Sequence, residues 1–167
     1  GCLMGASLLS FPAVASRSTT GRELSFFNLN TGERVNASYW ENGRYIHDGL
    51  QEFSWLFRDH RAGDLQIPID AKLFDQLFEL QRKLGVQKEI HVVCGYRSAQ
   101  TNASLRRSSR GVAKKSLHMS GQAVDLRIPG VELNRVRRAA LAMNAGGVGY
   151  YPRSNFVHVD TGPKRHW

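Results

Sequence analysis

Three side chains in the second half of the chain have the types and spacing of a metal site: His118, Asp125 and His158. The run Ser116-Leu117-His118-Met119-Ser120-Gly121-Gln122-Ala123-Val124-Asp125 sets a histidine in a loop and an aspartate on the strand that follows. The glycine and small residues between them let the backbone fold tightly enough for both side chains to meet. His158 lies 33 residues beyond Asp125, inside Phe156-Val157-His158-Val159-Asp160. Two neutral imidazoles and one carboxylate form a nitrogen-and-oxygen set that suits Zn²⁺, one per chain. Three protein ligands leave the fourth tetrahedral position to water, as in a catalytic rather than a structural zinc. Arg97 follows a strand and Gly95, where a guanidinium can clamp a carboxylate through two parallel hydrogen bonds. Each residue also has a plainer reading. A single histidine is mostly a surface or satisfied core group, and an arginine after a strand can simply tie down a loop.

The elements that must carry these residues are legible in outline. Glu23 to Asn30 and Arg34 to Trp40 are β-rich runs joined by Asn30-Thr31-Gly32-Glu33, a hairpin signal. Helices are expected at about Asp48 to Arg61 and Asp70 to Leu84, the second opened by an Asp cap after Pro68 and stopped by Gly85. Leu73, Leu77, Leu80 and Leu84 recur at helical spacing and belong to the core. Glu89 to Cys94 reads as a buried strand, and Gly95-Tyr96-Arg97-Ser98 turns into a helix through about Ser108. Ala123 to Ile128 is a strand, Val131 to Met143 a helix, and Gly147 to Tyr150 and Phe156 to Asp160 two short strands. Hairpins and helices mix without regular βαβ alternation, so the expected fold is α+β: an antiparallel sheet with flanking helices and the zinc site on the sheet.

The chain of 167 residues, 41% hydrophobic, suits one domain with a substantial core. Residues 1–15, GCLMGASLLSFPAVA, are too short for a comfortable membrane span and end in the small-x-small pattern of a signal-peptidase site. They read as the remnant of an export signal, and residues 16–167 as a single domain that works outside the cytoplasm with no stable membrane span. A buried N-terminal helix is the alternative. Cys2 leaves with the signal or is a lipid-attachment site; Cys94 then stands alone and reads as a small core residue, a catalytic thiol being the sharper alternative. Charge is placed unevenly. Residues 1–88 carry ten basic and ten acidic side chains, whereas residues 89–167 carry thirteen Lys or Arg against four acids, so the net +9 sits in the second half. Arg97, Arg106, Arg107, Arg110, Lys114 and Lys115 fall in a stretch without a single acid. Such a field favours an anionic polymer. The export signal and the lack of a base-reading motif argue against nucleic acid.

The pattern Ser-x-His-x-x-Gly-x-Ala-x-Asp followed by a strand His resembles the M15 group of zinc peptidases, which includes D-alanyl-D-alanine carboxypeptidases and dipeptidases. The likeness is closest to its murein endopeptidase K branch and runs from about Leu24 onward. It includes GYRS at 95–98, RGVAKKS at 110–116, GGVGYYPRSNFVH at 146–158 and the ending DTGPKRHW. The resemblance implies a periplasmic, monomeric enzyme with a Tat-type signal that hydrolyses peptide cross-links of peptidoglycan at amide bonds to meso-diaminopimelate. A zinc carboxypeptidase, or a non-catalytic peptidoglycan-binding module, is the alternative. Carried over residue by residue, the zinc ligands are His118, Asp125 and His158, Arg97 holds substrate or its oxyanion, and Ser116 contacts substrate or serves as a turn hydroxyl. Tyr150 and Tyr151 line the cleft or only pack the sheet.

One position departs from the better-known relatives. They carry Glu or Asp three residues before the last ligand, and here Asn155 stands there, which cannot take a proton. Of the carboxylates in the second half, Asp125 is spent on the metal, Glu132 opens a helix and Glu89 has no motif around it. Asp160 remains, two residues past His158 and therefore on the same strand face. It is expected to take the proton from the attacking water or to orient His158 from behind.

Overall fold

The computed structural model describes residues 21–109 and 111–167. The expected signal segment, Cys2 and Arg110 lie outside them. Alternation of apolar and polar residues makes β1 (Arg22–Asn28) a strand with Leu24, Phe26 and Asn28 turned inward. The turn after it holds Gly32 at φ 74°, and Asn28 Oδ1 accepts from the backbone N–H of Asn30 at 2.9 Å. β2 (Arg34–Glu41) then pairs antiparallel with β1, and the short β3 (Arg44–Tyr45) pairs with β2.

The first helix, α1 (His47–Leu56), stops five residues before Arg61, where the expected one ended. The Phe57 carbonyl accepts from the Tyr96 N–H at 2.6 Å, and Asp59 caps a 3₁₀ turn at His60–Ala62 and accepts from Ser98 N–H at 2.8 Å. The backbone after Leu56 is therefore committed to supporting the loop that carries Arg97. Next, α2 (Ala71–Leu84) starts at the Asp70 cap, which accepts from Lys72 N–H at 3.1 Å, and ends on Gly85 at φ 66°.

From there the chain runs through β4 (Ile90–Cys94), α3 (Ala99–Ser108), a 3₁₀ helix at Leu117–Ser120, β5 (Ala123–Arg127) and α4 (Leu133–Met143). It finishes with β6 (Gly147–Tyr151), β7 (Phe156–Asp160) and β8 (Arg165–His166). The eight strands form one sheet in the order β3-β2-β1-β4-β5-β7-β6-β8.

The fold is α+β as expected, but the sheet is mixed rather than antiparallel. β4 runs parallel to β1 (Phe26 opposite Ile90), and β8 runs parallel to β6 (Gly147 opposite Arg165). The first parallel pair arises because α1 and α2 together form a crossover that returns the chain beside β1 instead of β2.

One face of the sheet is covered by α1, α2 and α4. Phe26 meets Phe53 and Phe57 edge-on with centroids 4.9 and 5.1 Å apart, and Leu73, Phe74, Leu77, Leu80, Val136 and Ala140 close over Val124, Leu126, Val157 and Val159. With Val124 and Leu126 committed to that core, Asp125 faces the other way. The same alternation turns His158 and Asp160 away from Val157 and Val159. Burial on one face thus fixes which side chains appear on the other. Among the described residues no helix is long and apolar enough to cross a membrane.

Candidate metal centre

The sheet register sets the site. Cys94 pairs with Asp125 across β4 and β5, Asp125 with His158 across β5 and β7, and His158 with Gly149 across β7 and β6. These four residues form one row across four strands, on the face away from the helices. His118 reaches the row from the 3₁₀ helix, whose first turn is fixed by Ser116: its hydroxyl accepts from His118 N–H at 3.4 Å. The Arg97 N–H donates to the His118 carbonyl at 3.1 Å, which ties the arginine loop to the same turn.

Each imidazole is anchored by its outer nitrogen. His118 Nδ1 lies 2.7 Å from the Gly95 carbonyl, which can only accept, so this nitrogen carries the proton. Gly95 is needed there: a Cβ would sit 2.5 Å from the Phe57 carbonyl oxygen and 2.8 Å from its Cα. His158 Nε2 lies 2.8 Å from Asp160 Oδ2 and donates to it. The inner nitrogens, His118 Nε2 and His158 Nδ1, therefore present lone pairs, and both face Asp125 Oδ1, at 3.2 and 2.9 Å.

Three electron-rich atoms turned toward one another repel unless a cation lies among them. The three groups therefore suit a metal ion. In a tetrahedral zinc site with bonds of about 2.0–2.1 Å, neighbouring ligand atoms stand about 3.3 Å apart, close to both observed separations. The metal-free protein must supply protons instead. Burial disfavours a charged His118, but the Asp125 carboxylate and the Cys94 thiol beside it raise its pKa to about 10. Burial alone would raise the Asp125 pKa, yet the two imidazoles hold it well below the usual carboxylate range.

Asp160 is fully buried, and every oxygen lone pair it has is in use. Oδ1 accepts from Gly147 N–H at 3.0 Å, Gly162 N–H at 2.9 Å and Arg165 Nη1 at 3.1 Å; Oδ2 accepts from Arg165 Nη2 at 2.7 Å as well as from His158. Burial opposes ionisation, but these donors bring its pKa down to about 2.

Arg97 is also buried. Nη1 donates to Asn102 Oδ1 at 3.3 Å, Nη2 stands 4.0 Å from Asp125 Oδ2, and Nε has no partner at all.

A cleft of about 550 Å³ opens over the row. Arg97, Ser116, His118, Asp125 and His158 line it, and so do Lys115, Tyr151, Phe156, Arg165 and Trp167. Tyr150 does not. It shares the strand face of Val148, packs against the core and carries the Arg137 guanidinium 5.0 Å above its ring. Tyr151 takes the place in the cleft.

Three residues around the site escape sequence reasoning. Arg165 and Trp167 lie on and beside a two-residue strand that has no pattern to read. Cys94, half-buried, brings its sulfur, a ring nitrogen of His118 and an oxygen of Asp125 within 4.8 Å of one another. The histidine beside this thiol comes from 24 residues away, on the 3₁₀ helix that precedes β5, so nothing in the neighbouring sequence signals it.

A convergent, cation-demanding donor set beside a buried arginine, at the base of an open cleft, suits a metal-dependent hydrolase. The chain belongs to the family described as peptidoglycan L,D-endopeptidase MepK, whose model matches residues 16–167. It is 52% identical over 168 residues to the peptidoglycan L,D-endopeptidase MepK of Escherichia coli strain K12, covering all of this chain and 92% of that protein. The Shigella flexneri protein of the same name matches to the same extent. The probable peptidoglycan L,D-endopeptidase MepK of Haemophilus influenzae is 46% identical, over all of this chain and 90% of its own length. No solved structure matches.

Proposed function

We propose that this chain is a zinc-dependent peptidoglycan L,D-endopeptidase of the periplasm, exported by the segment within residues 1–15, that hydrolyses cross-links at amide bonds to meso-diaminopimelate. Relatives of that name at 52% identity over the whole chain support the reaction. The observation that carries the metal is the pair of inner ring nitrogens aimed at Asp125 Oδ1. His118 Nε2, Asp125 and His158 Nδ1 would hold the zinc. Bound there, zinc supplies Lewis-acid chemistry, acidifying water and polarising the scissile carbonyl.

The chain's own groups do the rest. The Gly95 carbonyl and Asp160 each take the outer N–H of one imidazole, so the inner nitrogen of each is the one left for the metal. Asp160 serves His158 rather than the attacking water: its oxygens are saturated, and a carboxylate with a pKa of about 2 is a poor base near neutrality. Arg97 faces the cleft with its Nε unpartnered, placed to stabilise the oxyanion or hold a stem-peptide carboxylate. Ser116 sets the His118 turn from beneath and borders the same cleft. The basic second half draws the protein to a wall whose stem peptides carry carboxylates.

Mass spectrometry of muropeptides digested with the zinc-loaded protein tests this reading. Loss of dimers with the matching gain of uncross-linked stems is expected. Release of terminal D-alanine alone would make the enzyme a carboxypeptidase.

A further inference from the structure

Four large apolar side chains are exposed among the described residues: Tyr45, Trp55, Leu65 and Trp167. Only Trp167 lines the cleft. The residue is 46% exposed, yet its indole is firmly held. The backbone N–H donates to the Val148 carbonyl at 3.2 Å, the Tyr150 N–H donates to the Trp167 carbonyl at 3.0 Å, and Nε1 donates to the Tyr151 hydroxyl at 2.6 Å. Gly149 leaves room beneath it: a Cβ there would stand 2.7 Å from the ring. The indole centroid is 5.3 Å from that of His158, and Tyr151 stacks on Phe156 at 4.5 Å to extend the apolar wall.

Strand order gives this wall a direction. Trp167 covers the β6 end of the row, His158 and Asp125 stand in the middle, and Arg97 and His118 lie at the β4 end. A ligand lying across the row meets an aromatic floor, where the Arg165 guanidinium 5.1 Å over the indole is already committed to Asp160, then the metal ligands, then the Arg97 guanidinium. The matching chemistry is a residue with several methylenes in line and a carboxylate at one end. A rigid, half-exposed indole beside a reacting centre is the kind of anchor that concentrates binding energy.

We propose that Trp167 is a specificity-determining residue, its indole being the platform for the methylene chain of the cross-link's diamino acid. This deepens the endopeptidase reading and rests on it for the identity of the chain.

The test compares wild type, Trp167→Ala and Trp167→Phe, all zinc-loaded, on a soluble cross-linked muropeptide dimer. Zinc content is measured by elemental analysis, and the Kd of the uncross-linked stem product by calorimetry. Trp167→Ala should keep its zinc, raise KM and product Kd by roughly tenfold, and change kcat by less than about threefold. Trp167→Phe should recover most of the loss. On a cross-linked peptide whose diamino acid is two methylenes shorter, wild type and Trp167→Ala should converge. Unchanged KM and Kd in Trp167→Ala overturn the proposal. So does a loss of turnover that tracks loss of zinc and returns on adding zinc, because the indole then only holds His158. If wild type cleaves no dimer yet binds the stem in a Trp167-dependent way, the endopeptidase reading fails and the platform stands.

Discussion

Asp125 stands directly opposite His158 across β5 and β7, and a single oxygen, Oδ1, meets the inner nitrogens of both His118 and His158. One carboxylate oxygen therefore organises two imidazoles that come from positions 40 residues apart.

Replacing any member of this trio removes the cation site. Wild type should bind one zinc, and His118→Ala, Asp125→Ala and His158→Ala should each lose it together with activity, by equilibrium dialysis with elemental analysis. Cys94 adjoins His118 and Asp125 but does not line the cleft, so Cys94→Ser should keep full zinc content. The cobalt-substituted wild type should show no sulfur-to-cobalt absorption.

Protons and zinc compete for His118 Nε2. In the metal-free protein its pKa is raised from 6.5 to about 10, so zinc must displace a proton throughout the neutral range. Apparent affinity should rise about tenfold per pH unit per proton displaced between pH 6 and 8, read by chelator competition. The linked stability has the opposite sign. A raised pKa stabilises the metal-free fold fully below the unfolded value near 6.5, and this contribution is lost as pH rises through about 10. The melting temperature of the metal-free protein should therefore fall across that window, and zinc should flatten the trend.

Asp160→Asn turns an amide N–H₂ toward donors that a carboxylate oxygen now satisfies. Zinc affinity should fall by about 10- to 100-fold, with activity partly restored by added zinc, and stability should drop by about 1–3 kcal/mol. A loss of turnover with normal zinc affinity would instead make Asp160 the proton acceptor.

Arg97→Lys keeps the charge but not the planar fork. Turnover of a soluble cross-linked peptide should drop by roughly 10²- to 10³-fold while zinc content holds, as for loss of an oxyanion donor. Steady-state kinetics on the metal-loaded variant decide it.

Arg106 and Arg107, on the last turn of α3, pair with no acid among the described residues. Reversing their charges should weaken sedimentation with intact sacculi and reduce its salt sensitivity, leaving hydrolysis of a small muropeptide near normal. Arg110 belongs to the same basic stretch of sequence.

The helices and long strands could be read from sequence because burial of one face imposes a period. Leu73, Leu77, Leu80 and Leu84 marked α2, and Val157 and Val159 set the phase that puts His158 and Asp160 together. The same phase, applied to Val148, shows that Tyr150 points into the core and Tyr151 out of it. Strand partners could not be read that way. The β1–β4 pairing depends on where a two-helix crossover lands, and the neighbourhood of Cys94 and Asp125 follows from register alone. Arg165 reaches Asp160 from a strand of two residues, too short for any period. α1 ends before the apolar pattern does because the Phe57 carbonyl and the Asp59 carboxylate are taken by the Tyr96 and Ser98 N–H groups, remote in sequence.

The row from Cys94 to Gly149 runs through the interior strands of the sheet, so its geometry shares the opening free energy of the whole fold. Separating Asp125 from His158 means unzipping β5 from β7, whereas residues 111–116, along the cleft, lie outside helix and strand and are held by Asn102 Nδ2 donating to the Ala113 carbonyl at 3.1 Å. Metal exchange should thus be slow and follow global unfolding, while ligands enter and leave through a rim that relaxes much faster. On the proposed reading the ion and the substrate wall would run on separate clocks, and changes to the rim would retune which cross-link is accepted without loosening the grip on the metal.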